Sequence, residues 1–302
     1  MRLEWHYDAP TPHVYLDMPT TVPDAIARFY PNGIHKGSST PSTYIGPAMT
    51  GKPDLGATID TSKPVSLEAK LFIQQVTGVF LYYARMIDIT MLPATRAISE
   101  QQSAPTEKTL ADTHQLLRYA YSHPNHRIKF EACDMVLHIQ SDASHLSLFK
   151  SGSVAGGYHF FGNKGDPFTL NGSISAVCCR IPTVCQAASE SEYASLFLNG
   201  QQGYFERAIL AALHYPQEPT ILYTDNETAK GIATDSCKIR RSKAMDMRYH
   251  WIRDRVRQGI FKVVYRKGTD IDADFLTKPL PVYRHKHFIG RFVHPPKPPN
   301  EC

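Results

Sequence analysis

From about residue 127 onwards, the sequence follows a pattern of apolar segments that is compatible with few folds. Three strand-like segments come first, and the later strand-like segments alternate with amphipathic helical ones. We predict strands at residues 135–141, 156–161, 173–179, 220–224 and 260–266. We predict helices at residues 190–213, 226–234 and 243–258, with Gly259 in the position that favours a left-handed cap. This order predicts an α/β domain in which helices cover a mixed sheet.

The preceding residues have a different pattern. Apolar segments at 3–7 and 13–18 flank a turn-rich stretch and predict a hairpin, whereas residues 31–64 have the composition of a linker. Amphipathic segments at 67–86 and 106–121 predict two packed helices. We therefore divide the chain into a hairpin with its linker (1–65), a helical region (66–126), the α/β domain (127–280) and a basic, proline-rich tail (281–302).

The positive charge of the chain is concentrated near its carboxyl end. Residues 237–302 hold 16 of the 33 Lys and Arg but 6 of the 28 Asp and Glu, a net +10, while the first 236 residues carry −5. Such a concentration favours a polyanionic partner, although a solvated basic surface would give the same count. No apolar run is long enough for a membrane helix, and the first residues do not resemble a signal peptide. We expect an intracellular protein, cytoplasmic or nuclear, without a membrane partner.

Four acidic residues are placed near strand ends or helix starts, where an open α/β sheet gathers its functional groups. They are Asp142, Glu192, Asp225 and Asp274. Four carboxylates at one end of a sheet repel one another unless cations are present, and their oxygens suit Mg²⁺ or Mn²⁺. Two such ions can activate a water molecule and stabilise the leaving oxygen of a phosphodiester. The pattern therefore predicts a two-metal site that hydrolyses phosphodiesters.

Each acidic residue also has a local, structural interpretation. Asp225 and Asn226 are good caps for the following helix. Ser189 and Glu192 have the spacing of a capping box, in which both side chains satisfy backbone donors. Glu190 competes with Glu192 for the place of the metal-binding glutamate. Because of these alternatives, the order of the four residues along the chain is more informative than any one of them.

The segments that carry these residues resemble a known series of motifs. They are Ser141-Asp142-Ala143-Ser144, Ser189-Glu190-Ser191-Glu192-Tyr193, Thr224-Asp225-Asn226, residues 242–253 and residues 273–280. In order and spacing they resemble the ribonuclease H (RNase H) domain of copia-type retrotransposon polyproteins, over about residues 134–280. The resemblance implies the RNase H-like fold, with a five-stranded mixed sheet flanked by helices. It also implies an endoribonuclease that hydrolyses the RNA strand of RNA–DNA hybrids during reverse transcription.

The same resemblance assigns residue roles. It places catalytic and metal-binding roles on Asp142, Glu192, Asp225 and Asp274, with Mg²⁺ or Mn²⁺ as cofactor. It favours Glu192 over Glu190, because Tyr193 and Ala194 follow it as they do in the family.

The upstream half resembles another part of these polyproteins. Leu3-Glu4-Trp5, residues 16–19, residues 75–78 and residues 81–85 resemble the thumb and connection regions of the reverse transcriptase. The Tyr-x-Asp-Asp motif of the polymerase active site does not occur in the sequence. We therefore expect a small reverse-transcriptase remnant of helices and a hairpin that does not synthesise DNA. The rest of such a polyprotein is an expected partner.

Basic residues on and before the predicted helix 243–258 are candidates for binding a hybrid. They are Lys238, Arg240, Arg241, Lys243, Arg248 and Arg255. Such residues neutralise backbone phosphates, and recognition would then depend on groove shape and the ribose 2′-hydroxyl. A solvated helix with Asp254 paired locally is the alternative for these residues. For the whole chain, the alternative is a non-catalytic, retroelement-derived protein that binds nucleic acid.

Overall fold

The computed structural model describes residues 1–43, 60–165, 169–236 and 248–296. These residues form two compact units, each built around its own sheet. The amino-terminal unit contains the described residues before 133 and after 278, and the carboxy-terminal unit contains those from 133 to 278. No helix in the described ranges has a stretch both long and apolar enough to cross a bilayer.

The amino-terminal unit combines a three-stranded antiparallel sheet with helices. Its elements are β1 (Arg2–His6), β2 (His13–Asp17), α1 (Thr21–Phe29), α2 (Leu67–Met86), α3 (Leu92–Gln101), α4 (Glu107–Ser122) and β3 (Arg127–Glu131). The side chain of Ser66 caps α2, and Thr106 and Thr109 form a capping box on α4. Apolar side chains of α2 and α4, among them Phe80 and Leu117, are fully buried. The predicted hairpin and both predicted helices are present.

The boundary between the two units differs from the one predicted at residue 127. β3 pairs with β2, with Ile128 opposite Leu16, and so belongs to the amino-terminal sheet. Pairing between segments more than 100 residues apart leaves no local pattern, which is why the sequence did not place this boundary correctly.

The structure also corrects the prediction of a tail from residue 281. Val282–Phe292 forms an additional helix, α8, which belongs to the amino-terminal unit. The helices α5 to α7 belong to the other unit and are described below. It buries His285, Phe288 and Phe292, and the ring of His285 contacts that of Tyr119 edge-on. These three residues lie on one face of the helix, a signal that the high content of basic residues and proline concealed.

The carboxy-terminal unit has a five-stranded sheet in the order β6-β5-β4-β7-β8. The strands are β4 (Val136–Leu148), β5 (Gly152–Gly162), β6 (Ser173–Arg180), β7 (Thr220–Thr224) and β8 (Phe261–Tyr265). The first three are antiparallel, β7 runs parallel to β4, and β8 runs parallel to β7. This order and these orientations define the RNase H-like fold, as the resemblance implied. β4 and β5 are longer than predicted. Their additional residues are mostly small or polar and do not alternate, so the sequence pattern did not indicate a strand there.

Three helices complete the carboxy-terminal unit. They are α5 (Ala188–Ala212), α6 (Glu227–Ala233) and α7 (Arg248–Arg257). α5 packs closely on the sheet because it carries glycine where it crosses β4: a Cβ on Gly203 would lie 2.3 Å from Cδ1 of Ile139. The core beneath it includes Ile139, Leu222 and Phe261. This close packing brings the first turns of α5 against the edge of the sheet where β4 and β7 carry their acidic residues.

Candidate active site

Three carboxylates from three different elements converge at one edge of the sheet. Asp142 lies in β4, Glu192 in the first turns of α5, and Asp225 directly after β7. One oxygen of each lies within 4.8 Å of the other two. Within the described residues, no other set of three or more His, Cys, Asp or Glu side chains is arranged in this way. The parallel register explains the meeting of the two aspartates: Gln140 pairs with Tyr223, and both acids follow two residues later.

Glu192 is held so that one of its two oxygens is left for a ligand. Oε1 accepts a hydrogen bond from the backbone N–H of Ala143 at 3.2 Å. Oε2 is buried and has no hydrogen-bond partner among the residues that the structure describes. A buried acceptor without a partner costs about 1–3 kcal/mol, and more when charged. A bound cation would remove this cost, so the residues present fit a metal ion.

The capping box that was the structural alternative for Glu192 is not formed. Ala187 is the N-cap residue, without a side-chain hydrogen bond, and Glu190 instead accepts from the backbone N–H of Gln186 at 2.7 Å. Glu190 therefore satisfies a backbone donor near the helix start, while Glu192 joins the two aspartates. The structure thus separates the two glutamates that the sequence pattern left in competition.

The charged forms of all three carboxylates are destabilised. Burial, followed by the charges of Asp274 and Asp225, raises the pKa of Asp142 to about 7. Burial and the charge of Asp142 raise the pKa of Glu192 to about 9, and burial and Asp274 also raise the pKa of Asp225. Negative groups crowded into a poorly solvated site favour protonation, and a divalent cation would reverse this preference. Carboxylate oxygens are the hard donors that Mg²⁺, Mn²⁺ and Ca²⁺ prefer.

The fourth predicted residue, Asp274, lies beside this group and not within it. It is in a short 3₁₀ helix, Asp272–Leu276, and its Oδ1 is 2.5 Å from Nζ of Lys278. Gln140 of β4 holds this turn: its Oε1 accepts from the backbone N–H groups of Asp272 and Ala273 at 2.5 and 3.2 Å. Together with burial, the charge of Asp274 contributes to the raised pKa of Asp142 and of Asp225. The carboxylate of Asp274 is not part of the group whose oxygens lie within 4.8 Å of one another.

Two residues that sequence reasoning did not assign also contact the acidic group. Thr277 donates a hydrogen bond from its hydroxyl to Oδ2 of Asp142 at 2.9 Å, and Lys278 is paired with Asp274. Both residues follow Asp274 within the last motif segment, and this position was the sequence signal that could have identified them. Their contacts depend on how the 3₁₀ turn lies on β4, which a sequence pattern does not reveal.

A buried polar network lies beneath the carboxylates and joins α5 to the sheet. Ser195 donates to the backbone oxygen of Asp142 at 2.7 Å, and Asn199 donates to that of Gly156 at 3.0 Å. His159 contacts Oδ1 of Asn199 through Nε2 at 3.0 Å. Gly157 makes room for this amide, since a Cβ there would lie 1.6 Å from its Oδ1. These bonds set the position of the helix that carries Glu192 relative to the strand that carries Asp142.

Most of the basic residues predicted to bind a hybrid are outside the described ranges. This applies to Lys238, Arg240, Arg241 and Lys243, and Arg248 is the first residue of α7. The guanidinium of Arg255 lies 3.1 Å from Oδ2 of Asp254, donates to Gln258 at 2.7 Å, and lies over the ring of Trp251. The local pairing weighed as the alternative is therefore present at Arg255. Its contact with a phosphate stays a prediction.

Comparison with known proteins identifies relatives among retroelement polyproteins, although no family model matches the chain. The chain is 27% identical over 217 residues to the retrovirus-related Pol polyprotein from transposon RE1 of Arabidopsis thaliana, covering 68% of this chain and 14% of that protein. It is 27% identical over 166 residues to that from transposon TNT 1-94 of Nicotiana tabacum, covering 55% and 12%. The resemblance to copia-type transposon polyproteins is thereby confirmed. The chain spans between about an eighth and a seventh of the length of these relatives.

Two similar solved structures are RNases H. One is LC11-RNase H1 in complex with an RNA/DNA hybrid, with a TM-score of 0.34 and 9% identity, covering 47% of this chain and 93% of that one. The other is RNase H1 from the archaeon Halobacterium salinarum NRC-1, with a TM-score of 0.27, 15% identity and the same coverage. The assignment of the fold to this chain rests on the strand order described above.

Proposed function

We propose that the carboxy-terminal unit is the RNase H of a copia-type retroelement and hydrolyses the RNA strand of RNA–DNA hybrids. The observation that carries this proposal is the meeting of Asp142, Glu192 and Asp225 within 4.8 Å, on the RNase H-like sheet. The similarity to retrotransposon Pol polyproteins supports the retroelement setting. The motif segments that contain the three acids support the choice of an RNA–DNA hybrid as substrate.

The proposed cofactor is Mg²⁺ or Mn²⁺, held by the oxygens of these three residues. When bound, two such ions activate a water molecule and stabilise the leaving oxygen of a phosphodiester. Asp274 would complete the ligand set for the second ion, and Lys278 holds its Oδ1 in the structure. Hard oxygen donors, crowded negative charge and the buried Oε2 of Glu192 all support a divalent cation here.

The protein's own residues prepare the site for this chemistry. The hydroxyl of Thr277 orients Asp142, and the N–H of Ala143 turns Oε1 of Glu192 towards β4. Gln140 anchors the turn that carries Asp274. Asp142, Glu192 and the turn that carries Asp274 are therefore positioned by neighbours before a cation or a substrate arrives, which reduces the reorganisation required during the reaction.

Cleavage of a hybrid with a labelled RNA strand tests the proposal. We expect the protein to cleave the RNA strand only with Mg²⁺ or Mn²⁺ and Asp225→Asn to be inactive. Asp270→Asn is the matched control: it makes the same chemical change at an exposed residue, and we expect unchanged cleavage. A folded protein that binds the hybrid but does not cleave it with either metal would contradict the proposal. That result would favour the non-catalytic, nucleic-acid-binding alternative.

A further inference from the structure

The amino-terminal unit contains an open surface pocket, called the cavity below, with a volume of about 360 Å³ between α4 and the segment that follows α1. The polar side chains that line it belong to Tyr30, His35, Lys36, His114 and Arg118. Four of these five carry basic nitrogen atoms, and none of the residues that line the cavity is acidic. The volume is within the range of about 300–1,000 Å³ that is usual for small-molecule sites.

Within the described residues, Lys36 and Arg118 belong to the cations of this unit that are not paired with a carboxylate, whereas some others are paired. Arg2 pairs with Asp17, and Arg96 pairs with Glu100. By contrast, neither Lys36 nor Arg118 forms an ion pair with any carboxylate in the described part of the chain. Cations collected in a concave surface without counter-charges concentrate a positive potential there. The cavity is therefore suited to an anion.

The walls of the cavity are held in place by hydrogen bonds. The backbone N–H of Ser38 donates to the carbonyl oxygen of Arg118 at 3.2 Å and to Oγ of Ser122 at 2.9 Å. Gln115 donates to the carbonyl oxygen of Thr40 at 2.9 Å. Gly37 lies so close to α4 that a Cβ there would be 1.9 Å from Oγ of Ser122. A wall that is already ordered loses little conformational freedom when a ligand binds.

The donors suit a tetrahedral oxyanion. Arg118 offers a planar guanidinium and Lys36 an ammonium group, the two cations that proteins use for phosphate. The hydroxyl of Tyr30 and Nδ1 of His114 are hydrogen-bonded to each other, which fixes both side chains on the wall. Burial, and then Arg118, lowers the pKa of His114, which favours the neutral form of this ring.

We propose that this cavity binds a phosphate group. The group can be inorganic phosphate, the terminal monoester of a nucleotide chain or a diester within the chain, since all three present negatively charged phosphate oxygens. The proposal uses only residues of the amino-terminal unit. It is therefore independent of the nuclease proposed for the carboxy-terminal unit.

Calorimetric titration of the whole chain with inorganic phosphate tests this assignment, with a chelator present so that no divalent cation contributes. We expect saturable binding that Arg118→Gln weakens by roughly tenfold or more, because the substitution removes a charge-assisted hydrogen bond. Lys36→Gln, a change at an exposed residue, should weaken binding without altering the thermal transition. Arg85→Gln is the matched control, since Arg85 is also exposed but does not line the cavity.

Two DNA oligonucleotides of one sequence, with and without a 5′-phosphate, then identify the source of the phosphate. Stronger binding of the 5′-phosphorylated strand that depends on Arg118 indicates a terminal monoester, and equal Arg118-dependent binding indicates a diester. Binding of inorganic phosphate alone indicates a free ion. The proposal is overturned if the wild-type protein binds none of the three probes saturably. It is also overturned if Arg85→Gln weakens binding as much as Arg118→Gln does.

Discussion

The hydroxyl of Thr277 donates a hydrogen bond to Oδ2 of Asp142 at 2.9 Å, across 135 residues of chain. The same hydroxyl lies 2.9 Å from the carbonyl oxygen of Asp274. One small side chain thus links the carboxylate in β4 to the turn that carries the fourth acidic residue. The side chain of Thr277 is also buried, so water does not readily replace its hydrogen bond to Asp142.

Thr277→Val should impair metal use without unfolding the protein, because valine has nearly the shape of threonine but no donor. Loss of a neighbour that orients a metal ligand typically reduces metal affinity or activity by about 10–100-fold. We expect Thr277→Val to need a higher Mg²⁺ concentration for half-maximal cleavage of a hybrid. Thr277→Ser keeps the hydroxyl donor and should need a concentration close to that of the wild-type protein. An unchanged Mg²⁺ dependence in Thr277→Val would show that this bond does not position Asp142.

Asp142→Asn should stabilise the metal-free protein while it abolishes cleavage. At pH 8 Asp142 is ionised in the wild-type protein although burial and the charges of Asp274 and Asp225 raise its pKa to about 7. A neutral amide removes part of that repulsion and can still accept the bond from Thr277. For a unit of this size, each kcal/mol should raise Tm by about 2–4 °C.

The measurement is thermal unfolding with a chelator and again with excess Mg²⁺. We expect Mg²⁺ to raise the Tm of the wild-type protein more than that of the variant, because a ligand that binds only the folded state stabilises that state. Asp270→Asn, which neutralises an exposed acid, should change neither curve. A lower Tm for Asp142→Asn in chelator would contradict the predicted repulsion.

The amino-terminal unit should lose stability in mild acid because of His285. Burial lowers the pKa of this histidine to about 4; Asp88 opposes the effect, and His123 and His126 reinforce it. Between pH 6.5 and 4 the unfolded chain binds a proton at this residue and the folded chain does not, so the free energy of unfolding falls as the pH falls. The loss across this window is on the order of 3 kcal/mol.

Urea unfolding at pH 7, 5.5 and 4.5 checks this dependence. The fluorescence of Trp5 reports on the amino-terminal unit when Trp251 of the other unit is replaced by Phe. His285→Leu should flatten the dependence on pH between 6.5 and 4, because no group is then left to protonate at this position. Equal slopes for the two proteins would mean that other residues cause the acid sensitivity. The pKa of Asp88 is lowered, so its contribution is lost only below its ordinary value of 3.8.

Gly157 and Asn199 should behave as a coupled pair. A methyl group on residue 157 would overlap the amide of Asn199, so we expect Gly157→Ala to destabilise the carboxy-terminal unit by about 1–3 kcal/mol. Asn199→Ala alone should cost a similar amount, because it leaves buried polar partners unsatisfied. In the double variant the overlap is absent, and the total loss should be clearly smaller than the sum of the two.

The double-mutant cycle is measured by urea unfolding followed through Trp251 in a Trp5→Phe background. A coupling of about 0.5–3 kcal/mol is the usual range for residues in contact. Strictly additive effects would show that the two residues do not compete for the same space. Hybrid cleavage by Asn199→Ala should fall as well, because its network sets α5 on the sheet beneath Glu192.

The sequence by itself determined the order of the elements in the carboxy-terminal unit and the acidic residue that follows β7, whereas Asp142, predicted at a strand end, lies within β4. The predicted strand at 220–224 coincides with β7, and Asp225 follows it as expected. α5 begins and ends within two residues of its predicted range. Periodicity of two or 3.6 residues, and the residues that start or end an element, are local properties, so one sequence is enough to find them.

Only the tertiary structure decided which polar groups meet. The local pattern at the start of α5 was also compatible with a capping box for Glu192, whereas packing of the helix on β4 places this residue beside Asp142 and Asp225. The bond from Thr277 to Asp142, the docking of α8 and the cationic cavity beside α4 each join segments far apart in the chain. Such contacts depend on how whole elements are oriented when their apolar faces pack together, and no short stretch of sequence contains that information.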